Sequence, residues 1–275
     1  MRQIGLHIRL TTTVADVLER ALRMRSDGVQ CFFIKQETKK YADITPDEIA
    51  QVTALRHHFK ELYVHGSYWI NLAGTTRNGL RAFKKEIAFA HALSFTHIII
   101  HPGAATGCAM REDGIANLAR ILDAVLEENP TVKIVLENAA HGKSSVGGSL
   151  QDFKKLLSLS KFPDTLFFCI DTAHAHSYGY DLVSSDGREA FFKEVETCIG
   201  KSRIALLHLN ETTQICGSCI DHHAPLGKGM IGNDALRAIM KHDIFNDVPI
   251  ILELPAHYDE QEMEHMLALV REWDK

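Results

Sequence analysis

Three consecutive isoleucines stand between two histidines in the stretch His97-Ile98-Ile99-Ile100-His101. Three consecutive β-branched residues are typical of a strand that is buried on both faces, as in a parallel sheet covered by helices. The run Ile250-Ile251-Leu252, near the end of the chain, has the same character. Parallel strands need a crossover between them, usually a helix. We therefore expect a parallel sheet in which a helix follows each strand.

Six further runs like these two alternate with longer amphipathic segments, which predicts a strand-helix repeat. The eight runs are residues 3–8, 29–34, 62–65, 97–101, 133–137, 166–171, 204–208 and 248–253. Helix starts are indicated by Thr12 or Thr13 and by Thr45-Pro46-Asp47-Glu48, which is typical of a capping box. Eight such units predict an α/β fold, the (β/α)8 or TIM barrel, with an open doubly wound sheet as the alternative.

Composition limits the class of protein. The chain has 275 residues, of which 45% are hydrophobic and 24% charged, as in an ordinary globular protein with a large core. No linker-like tract interrupts the sequence, so we expect one domain over residues 1–275. The first ten residues contain Arg2, His7 and Arg9, where a signal sequence is apolar, and no run approaches the length of a membrane span. We expect a cytoplasmic protein with no membrane partner, associated with the nucleoid in a prokaryote.

The content of cysteine, charged residues and histidine limits the redox state, partners and cofactors that we expect. Six cysteines are too few for a disulfide framework in a chain of this length, so we expect free thiols. The sequence contains no coiled-coil pattern or exposed apolar stripe that would need a partner, so we expect a monomer. The formal charge of −5 argues against nucleic acid unless the chain carries metal. The 16 histidines, several beside Asp or Glu, point to metal, because imidazole and carboxylate are ligands that zinc prefers.

Six predicted strands end in a residue of the metal-ligand type. In a barrel the carboxyl ends of the strands converge on one face, where the active site is built. One such His is usually a buried, hydrogen-bonded side chain, but six buried polar groups together would each cost several kcal/mol without a compensating cation. The six are His65, His101, Glu137, Asp171, His208 and Glu253.

Two further clusters extend this set. His174 follows Asp171 by three residues, and Asp221-His222-His223 lies in the connection after the seventh strand, where a polar surface loop is the alternative. With His174, Asp221 and His223 included, nine candidates are too many for one ion and indicate two or three. The nitrogen-rich set favours Zn²⁺ or Mn²⁺ over Mg²⁺ or Ca²⁺. Clustered metals of this kind hold and polarise phosphate groups.

At these residues the chain resembles the endonuclease IV family, the apurinic/apyrimidinic endonucleases with three zinc ions in a barrel. The resemblance runs from Ile4-Gly5-Leu6-His7 to Glu253 and rests on several motifs in fixed order. They are His65-Gly66-Ser67-Tyr68-Trp69-Ile70-Asn71-Leu72, His101-Pro102-Gly103, Leu136-Glu137-Asn138, Cys169-Ile170-Asp171-Thr172-Ala173-His174, His208-Leu209-Asn210-Glu211, Asp221-His222-His223 and Leu226-Gly227-Lys228-Gly229-Met230-Ile231-Gly232.

The resemblance implies three zinc ions per chain, with Mn²⁺ as an alternative at one site. It assigns the first ion to His65, His101 and Glu137. It assigns the second to Glu137, Asp171, His208 and Glu253. It assigns the third to His174, Asp221 and His223. Glu137 is the implied catalytic residue, which orients a hydroxide that attacks the phosphorus 5′ to an abasic site. The implied products are a 3′ hydroxyl and a 5′ deoxyribose phosphate, and the family also trims blocked 3′ ends.

The implied partner is double-stranded DNA that contains abasic sites or blocked 3′ ends. Three divalent ions would change the formal charge from −5 to +1. Tyr68 and Trp69 match the loop that the family wedges into the base stack, with a core-capping aromatic pair as the alternative. The remaining predicted DNA contacts are Lys35, Gln36, Lys39, Asn71 and His222.

Several departures from the family leave alternatives open. Thr38 stands where the family often has an Arg, and His222 and Thr212-Thr213 replace basic positions, which suits a non-catalytic DNA-binding relative. A sugar isomerase or epimerase on a related barrel also places His, Asp and Glu at strand ends but needs only one or two metals. The Cys216-Gly217-Ser218-Cys219 insertion is interpreted as a loop without metal or redox function.

Overall fold

The computed structural model describes residues 2–128, 130–140, 142 and 144–275. Along these residues the strands are β1 (Ile4–His7), β2 (Val29–Phe32), β3 (Ile34–Lys35), β4 (Lys40–Tyr41), β5 (Leu62–His65), β6 (His97–Ile100), β7 (Lys133–Glu137), β8 (Phe167–Asp171), β9 (Ile204–His208), β10 (Glu211–Thr212), β11 (His223–Ala224) and β12 (Ile250–Leu252). The strands β1, β12, β9, β8, β7, β6, β5 and β2 pair in that order and close a parallel barrel. Two antiparallel pairs, β3 with β4 and β10 with β11, lie outside it.

Helices cover the outside of the barrel. In the described part of the chain they are α1 (Val14–Arg23), α2 (Pro46–Arg56), α3 (Asn78–Ala92), α4 (Arg111–Leu126), α5 (Leu150–Leu159), α6 (Thr172–Tyr178), α7 (Ser185–Cys198), α8 (Asn233–Lys241) and α9 (Glu260–Asp274). Each has a buried apolar side, which packs with the helix-facing residues of the strands in one continuous core. No helix among the described residues is long and apolar enough to cross a bilayer.

The barrel interior is filled by a second, separate layer of side chains. Alternate residues of a strand point to opposite faces, so the residues that do not face the helices face inward. Where β1 approaches the turn before β2, a Cβ on Gly5 would lie 2.2 Å from the carbonyl oxygen of Gly28, so only glycine fits there. The interior layer is Tyr63, Ile99, Val135, Cys169, Leu206 and Ile251.

The structure confirms the predicted TIM barrel and excludes the open sheet. The strands β5, β7 and β9 have the predicted bounds, because each is an uninterrupted apolar run that ends in a ligand-type residue. His101 and Glu253 lie one residue beyond β6 and β12. The predicted domain of residues 1–275 includes Met1, Asn129, His141 and Lys143, which lie outside the described residues.

One predicted helix start differs in detail. Thr45 caps α2 by accepting a hydrogen bond from the backbone N–H of Glu48. The Glu48 side chain does not return to Thr45 as a capping box requires. It accepts hydrogen bonds from the backbone N–H groups of Val14 at 2.6 Å and Ala15 at 3.0 Å. The Glu48 carboxylate therefore accepts hydrogen bonds from backbone N–H groups in the first turn of α1, which have no partner within the helix.

Candidate metal centre

Glu137, the last residue of β7, is completely buried where the strand ends converge. Its Oε2 atom lies 3.0 Å from Nε2 of His65 and 3.7 Å from Nε2 of His101. Its Oε1 atom lies 3.0 Å from Nδ1 of His208 and 3.3 Å from Nδ1 of His174. The donor atoms of His65, His101 and Glu137 all lie within 4.8 Å of one another, and we call this set the first donor group.

A second donor group shares Glu137 with the first. It consists of Glu137, Asp171, His208 and Glu253, whose donor atoms again lie within 4.8 Å of one another. The Nδ1 atom of His208 lies 3.5 Å from Oε2 of Glu253 and 3.7 Å from Oδ2 of Asp171. Asp171 and His208 are neighbours because they are register partners at the ends of β8 and β9.

A third donor group, Asp171, His174 and His223, shares Asp171 with the second. Asp221 is beside this group: its Oδ1 atom lies 3.1 Å from Nε2 of His174 and 3.5 Å from Nε2 of His223. The structure thus brings together all nine residues that the sequence predicts as ligands. It differs from the expected sets in placing Asp171 between the second and third groups.

The start of α6 explains the position of His174. Asp171 is the N-cap residue of this helix, and its Oδ1 atom accepts a hydrogen bond from the backbone N–H of His174 at 2.7 Å. An N-cap carboxylate commonly accepts from the third residue after it. The same bond that starts the helix therefore turns His174 back toward the strand ends.

The loop that carries Asp221 and His223 is held by a buried carboxylate. Glu211, at the start of β10, accepts hydrogen bonds from the backbone N–H groups of Thr212 at 3.0 Å, Ile231 at 2.9 Å and Gly232 at 2.7 Å. In addition, β10 pairs with β11, so that Thr212 is the register partner of His223. The hydrogen bonds to Glu211 and the pairing of β10 with β11 therefore hold this loop in place beside the barrel.

Three polar residues around the donors, Gln30, Asn210 and His7, lie outside the predicted ligand set. Gln30 and Asn210 are almost fully buried and hydrogen-bond to Glu253, and Asn210 also donates to Oδ2 of Asp171 at 2.6 Å. The Nδ1 atom of His7 lies 3.1 Å from Oε1 of Glu253. One sequence signal points to Gln30, because an amide in the middle of the buried strand Val29–Phe32 requires a polar partner.

Burial and charge act against each other at this site. Burial disfavours the ionised form of Glu137, but the imidazoles of His208 and His101 outweigh it, so the pKa of Glu137 lies well below its ordinary value. Burial also disfavours protonated His174, but Asp171 and Asp221 raise its pKa well above the ordinary value. At Glu137 and His174, the neighbouring opposite charges therefore outweigh burial.

Cys169 lies close to Glu137 and His208, within the same 4.8 Å limit. Burial in the barrel interior raises the pKa of its thiol to about 12. The Cys169 side chain packs against the other residues of the interior layer. We therefore regard Cys169 as part of the apolar layer beneath the donors.

The donor set fits divalent metal ions. The described donors are imidazole nitrogens and carboxylate oxygens, a combination that zinc and manganese accept. The buried Nε2 atom of His223 has no hydrogen-bond partner in the described part of the chain, although carboxylate oxygens of Asp221 and Asp171 lie 3.5 and 3.9 Å away. A cation bound between this ring nitrogen and the two carboxylates would supply the partner that the nitrogen lacks.

A cavity of about 630 Å³ opens above the donors. Four predicted DNA contacts line it: Gln36, Lys39, Tyr68 and His222. Arg9 and His257 also line it and were not predicted as contacts. The Nε atom of Arg9 donates a hydrogen bond to Oε1 of Gln36, and Nζ of Lys39 lies 5.6 Å from the ring centre of Tyr68. The rim beside Tyr68 therefore carries two cations.

The loop that carries Tyr68 and Trp69 is anchored from below. The side chain of Glu86, on α3, accepts hydrogen bonds from the backbone N–H of Ser67 at 3.0 Å and from the hydroxyl of Tyr41 at 3.1 Å. Tyr68 is 68% exposed and Trp69 45% exposed, and the Trp69 ring packs edge-on against Tyr41. Large aromatic side chains held in this exposed position are available to a binding partner.

The other predicted contacts lie outside the cavity lining, which includes neither Trp69, Lys35 nor Asn71. The side-chain oxygen of Asn71 accepts hydrogen bonds from the backbone N–H groups of Gly74 at 3.0 Å and Ala104 at 3.1 Å. Asn71 therefore shapes the loops after β5 and β6. Lys35 lies in the small β3–β4 sheet.

The CxxC segment lies in the loop before Asp221. Cys216 is exposed and Cys219 half-buried, and both are free thiols. Backbone hydrogen bonds from Gly217 to His176 and from Cys219 to Ser177 tie the segment to α6. Neither cysteine belongs to a donor group among the described residues.

Comparisons with known proteins identify relatives of this chain. Residues 18–273 match the family described as Xylose isomerase-like TIM barrel. A protein named "Probable endonuclease 4" from Chloroflexus aggregans is 30% identical over 279 residues, which cover 98% of this chain and 97% of that protein.

Solved structures share the fold. The crystal structure of endonuclease IV from Thermus thermophilus superposes with a TM-score of 0.84 at 24% identity and covers 98% of both chains. A D-tagatose 3-epimerase-like protein superposes with a TM-score of 0.71 at 17% identity, covering 98% of this chain and 96% of that one. At these identities the two structures establish the barrel, which nucleases and sugar epimerases share.

Proposed function

The chain belongs to the endonuclease IV family, and from this membership we propose that it is a zinc-dependent DNA repair endonuclease that cleaves the phosphodiester 5′ to abasic sites. It is a hydrolase of the endonuclease 4 type. The proposed products are a 3′ hydroxyl and a 5′ deoxyribose phosphate. The same chemistry would remove blocking groups from 3′ ends.

One observation carries the proposal: three donor groups overlap at Glu137 and Asp171 beneath one cavity. A zinc ion takes three or four protein ligands, so overlapping groups with shared carboxylates suit neighbouring ions. We assign one ion to His65, His101 and Glu137. We assign a second to Glu137, Asp171, His208 and Glu253. We assign the third to His174, His223 and Asp221, with Asp171 beside it.

The residues of the chain then have separate tasks. When bound, zinc ions polarise the scissile phosphate, lower the pKa of water and stabilise the leaving oxygen. Glu137, buried and anionic, accepts a hydrogen bond from the attacking oxygen and orients it for in-line attack. Arg9 and Lys39 on the rim pair with DNA phosphates beside the cleaved bond.

The exposed aromatic loop supplies the lesion contact. Tyr68 faces the cavity, and Trp69 lies beside it on the outer surface. Aromatic side chains in this position can enter the gap that a missing base leaves in the stack. We propose that His222 and Gln36 make further contacts with the DNA backbone. Lys35 and Asn71, outside the cavity lining, act on the supporting loops.

The third proposed zinc site separates this function from its alternatives. A sugar isomerase or epimerase needs one or two metals, and His174, His223 and Asp221 would then have no task. A non-catalytic relative would tolerate loss of donors, whereas all nine lie together here.

A duplex oligonucleotide with one abasic-site analogue tests the proposal. We expect a single cut on the 5′ side of the lesion that leaves an end which a DNA polymerase extends. A cut on the 3′ side, or an end that is not extended, would contradict the proposed chemistry. Interconversion of ketose sugars without DNA cleavage would favour the epimerase alternative.

A further inference from the structure

Gln30 is a buried amide at the centre of the barrel. It lies in the middle of β2, where its register partners are His7 on β1 and Tyr63 on β5, and its exposed fraction is 0%. Its strand is otherwise apolar, with the sequence Val-Gln-Cys-Phe. A buried amide costs free energy unless both ends are hydrogen-bonded.

Both ends of the amide contact residues of the second donor group. The Nε2 atom donates a hydrogen bond to Oε1 of Glu253 at 2.7 Å. The Oε1 atom lies 3.0 Å from Nε2 of His208. The second hydrogen on Nε2 faces Nδ1 of His7 at 2.9 Å. One side chain therefore joins the ends of β9 and β12 from across the barrel.

The carboxylate decides which way the amide points. An ionised Glu253 is an acceptor only, so the NH2 group of Gln30 must face it and the carbonyl oxygen must face His208. A carbonyl oxygen accepts, so Nε2 of His208 must carry a proton and donate it. The lone pair of a neutral His208 ring is then on Nδ1.

That nitrogen is the one aimed at the donors. Nδ1 of His208 lies 3.0 Å from Glu137, 3.5 Å from Glu253 and 3.7 Å from Asp171. With the other tautomer the ring would present a hydrogen there and exclude a cation. Orientation of a metal-binding imidazole by a hydrogen bond to its other nitrogen is a general feature of metal sites.

We propose that Gln30 is a positioning residue that assembles the second donor group before a cation arrives. It fixes the tautomer and ring orientation of His208 and the position of the Glu253 carboxylate at the same time. This inference rests on the proposed metal centre but concerns how the ligands are held, which is measurable without DNA.

Asn210 offers an internal comparison. Its Nδ2 atom donates to Asp171 at 2.6 Å and to Glu253 at 3.0 Å, so it aligns both carboxylates of the group. It has no hydrogen bond to His208 among its described contacts. Replacement of Asn210 should therefore weaken metal binding without changing the His208 tautomer.

The test compares Gln30→Met, Asn210→Ala and the strand neighbour Cys31→Ala with the natural chain. Methionine keeps the length of the side chain but removes both hydrogen bonds. Zinc affinity is measured by competition with a chromophoric chelator. The tautomer is read from long-range ¹H–¹⁵N spectra of protein with ¹⁵N-labelled histidine, with and without zinc.

We expect Gln30→Met to lower the affinity for the weakest-bound zinc by about 10- to 100-fold, as for loss of other groups that hold ligands. We also expect it to shift the ¹⁵N signal of His208 Nε2, because the hydrogen bond from this nitrogen to Gln30 is lost. Cys31→Ala, which removes a buried thiol that packs in the core shared with the helices and not among the donors, should change neither readout.

Wild-type zinc affinity and an unchanged His208 signal in Gln30→Met would overturn the inference. If this variant does not fold, the isosteric Gln30→Glu replaces the donating NH2 by an oxygen that repels Glu253, and the same loss of zinc affinity is expected. Natural protein that binds zinc but leaves abasic DNA intact would contradict the proposed function alone. Natural protein whose His208 Nε2 is unprotonated would contradict the role of Gln30 alone.

Discussion

Nδ1 of His208 lies 3.0 Å from Oε1 of Glu137 at the buried centre of the barrel's C-terminal face. The two residues are 71 positions apart in the chain, and the barrel brings them together through β7, β8 and β9. His65 approaches the other oxygen of the same carboxylate at an equal distance. Glu137 is therefore the side chain that joins the first and second donor groups.

Replacement of Glu137 by Gln should abolish cleavage while the barrel remains folded. The substitution keeps the size of the side chain but removes the charge that orients the attacking oxygen and is shared by two donor groups. We expect cleavage of abasic duplex to fall by about 10³-fold or more, the loss typical of a preorganised charged group at a reaction centre. Circular dichroism should be unchanged, and cleavage equal to that of the natural chain would remove Glu137 from the mechanism.

Replacement of Trp69 by Ala should weaken DNA binding more than it slows cleavage of bound DNA. Loss of one aromatic stacking contact costs about 1–3 kcal/mol, or roughly 5- to 150-fold in Kd. Fluorescence anisotropy with abasic duplex and single-turnover kinetics separate the two effects. Leu159→Ala is a control, because Leu159 is 41% exposed but lies at the far end of α5. Equal Kd values for Trp69→Ala and the natural chain would refute the wedge.

Replacement of Glu211 by Gln should release the loop that carries Asp221 and His223. The carboxylate accepts three backbone hydrogen bonds, and charged hydrogen bonds contribute about 1.5–3 kcal/mol each. We expect the free energy of unfolding to fall by about 1.5–3 kcal/mol, the contribution of one charged hydrogen bond. Hydrogen exchange at the backbone amides of Ile231 and Gly232 should become faster. The exposed Glu264→Gln should have no such effect, and unchanged exchange in Glu211→Gln would show that the loop is held elsewhere.

His97 should make the barrel less stable in acid. It lies at the opposite end of β6 from the donors, and burial, opposed by Glu61, lowers its pKa to about 4. An unfolded His protonates near pH 6.5, so the unfolded chain binds more protons between pH 6.5 and 4. The stability from neutral His97 is therefore complete above pH 6.5 and is lost as the pH falls to 4.

Urea unfolding of the natural chain and His97→Gln, both with chelator, tests this effect. The natural chain should lose up to about 3 kcal/mol more than the variant between pH 7 and pH 4. Because the residues of the donor groups are present in both proteins, their titration cancels in the difference. Parallel losses in the two proteins would contradict the assignment.

Much of the fold and the ligand set could be predicted from the sequence because the signals are local. The run Ile98-Ile99-Ile100 has no polar face, so it must be a strand covered on both sides, and His101 follows it directly. Once the strands are parallel, their ends must meet, and the ligands with them. The six strand-end residues were therefore predictable without distances, whereas His174, Asp221 and His223 were predicted from neighbouring sequence clusters and the family resemblance.

The hydrogen bonds that hold the candidate ligands in place could not be predicted, because they depend on the register between strands that are distant in the sequence. Gln30 is 178 residues from His208 and 223 from Glu253, and no local pattern indicates that one amide contacts both. The same holds for Glu48, which satisfies the start of α1 instead of its own helix. Arg9 reaches the cavity because it follows β1, whose place beside β2 is fixed by barrel closure.

The most direct test of the account is metal content measured together with cleavage. The purified chain is analysed for zinc by mass spectrometry, stripped with chelator, reloaded, and assayed at each stage on duplex with one abasic-site analogue. We expect about three zinc ions per chain, loss of cleavage on stripping and its return with zinc. Full cleavage by a chain that has been stripped of all metal would contradict it.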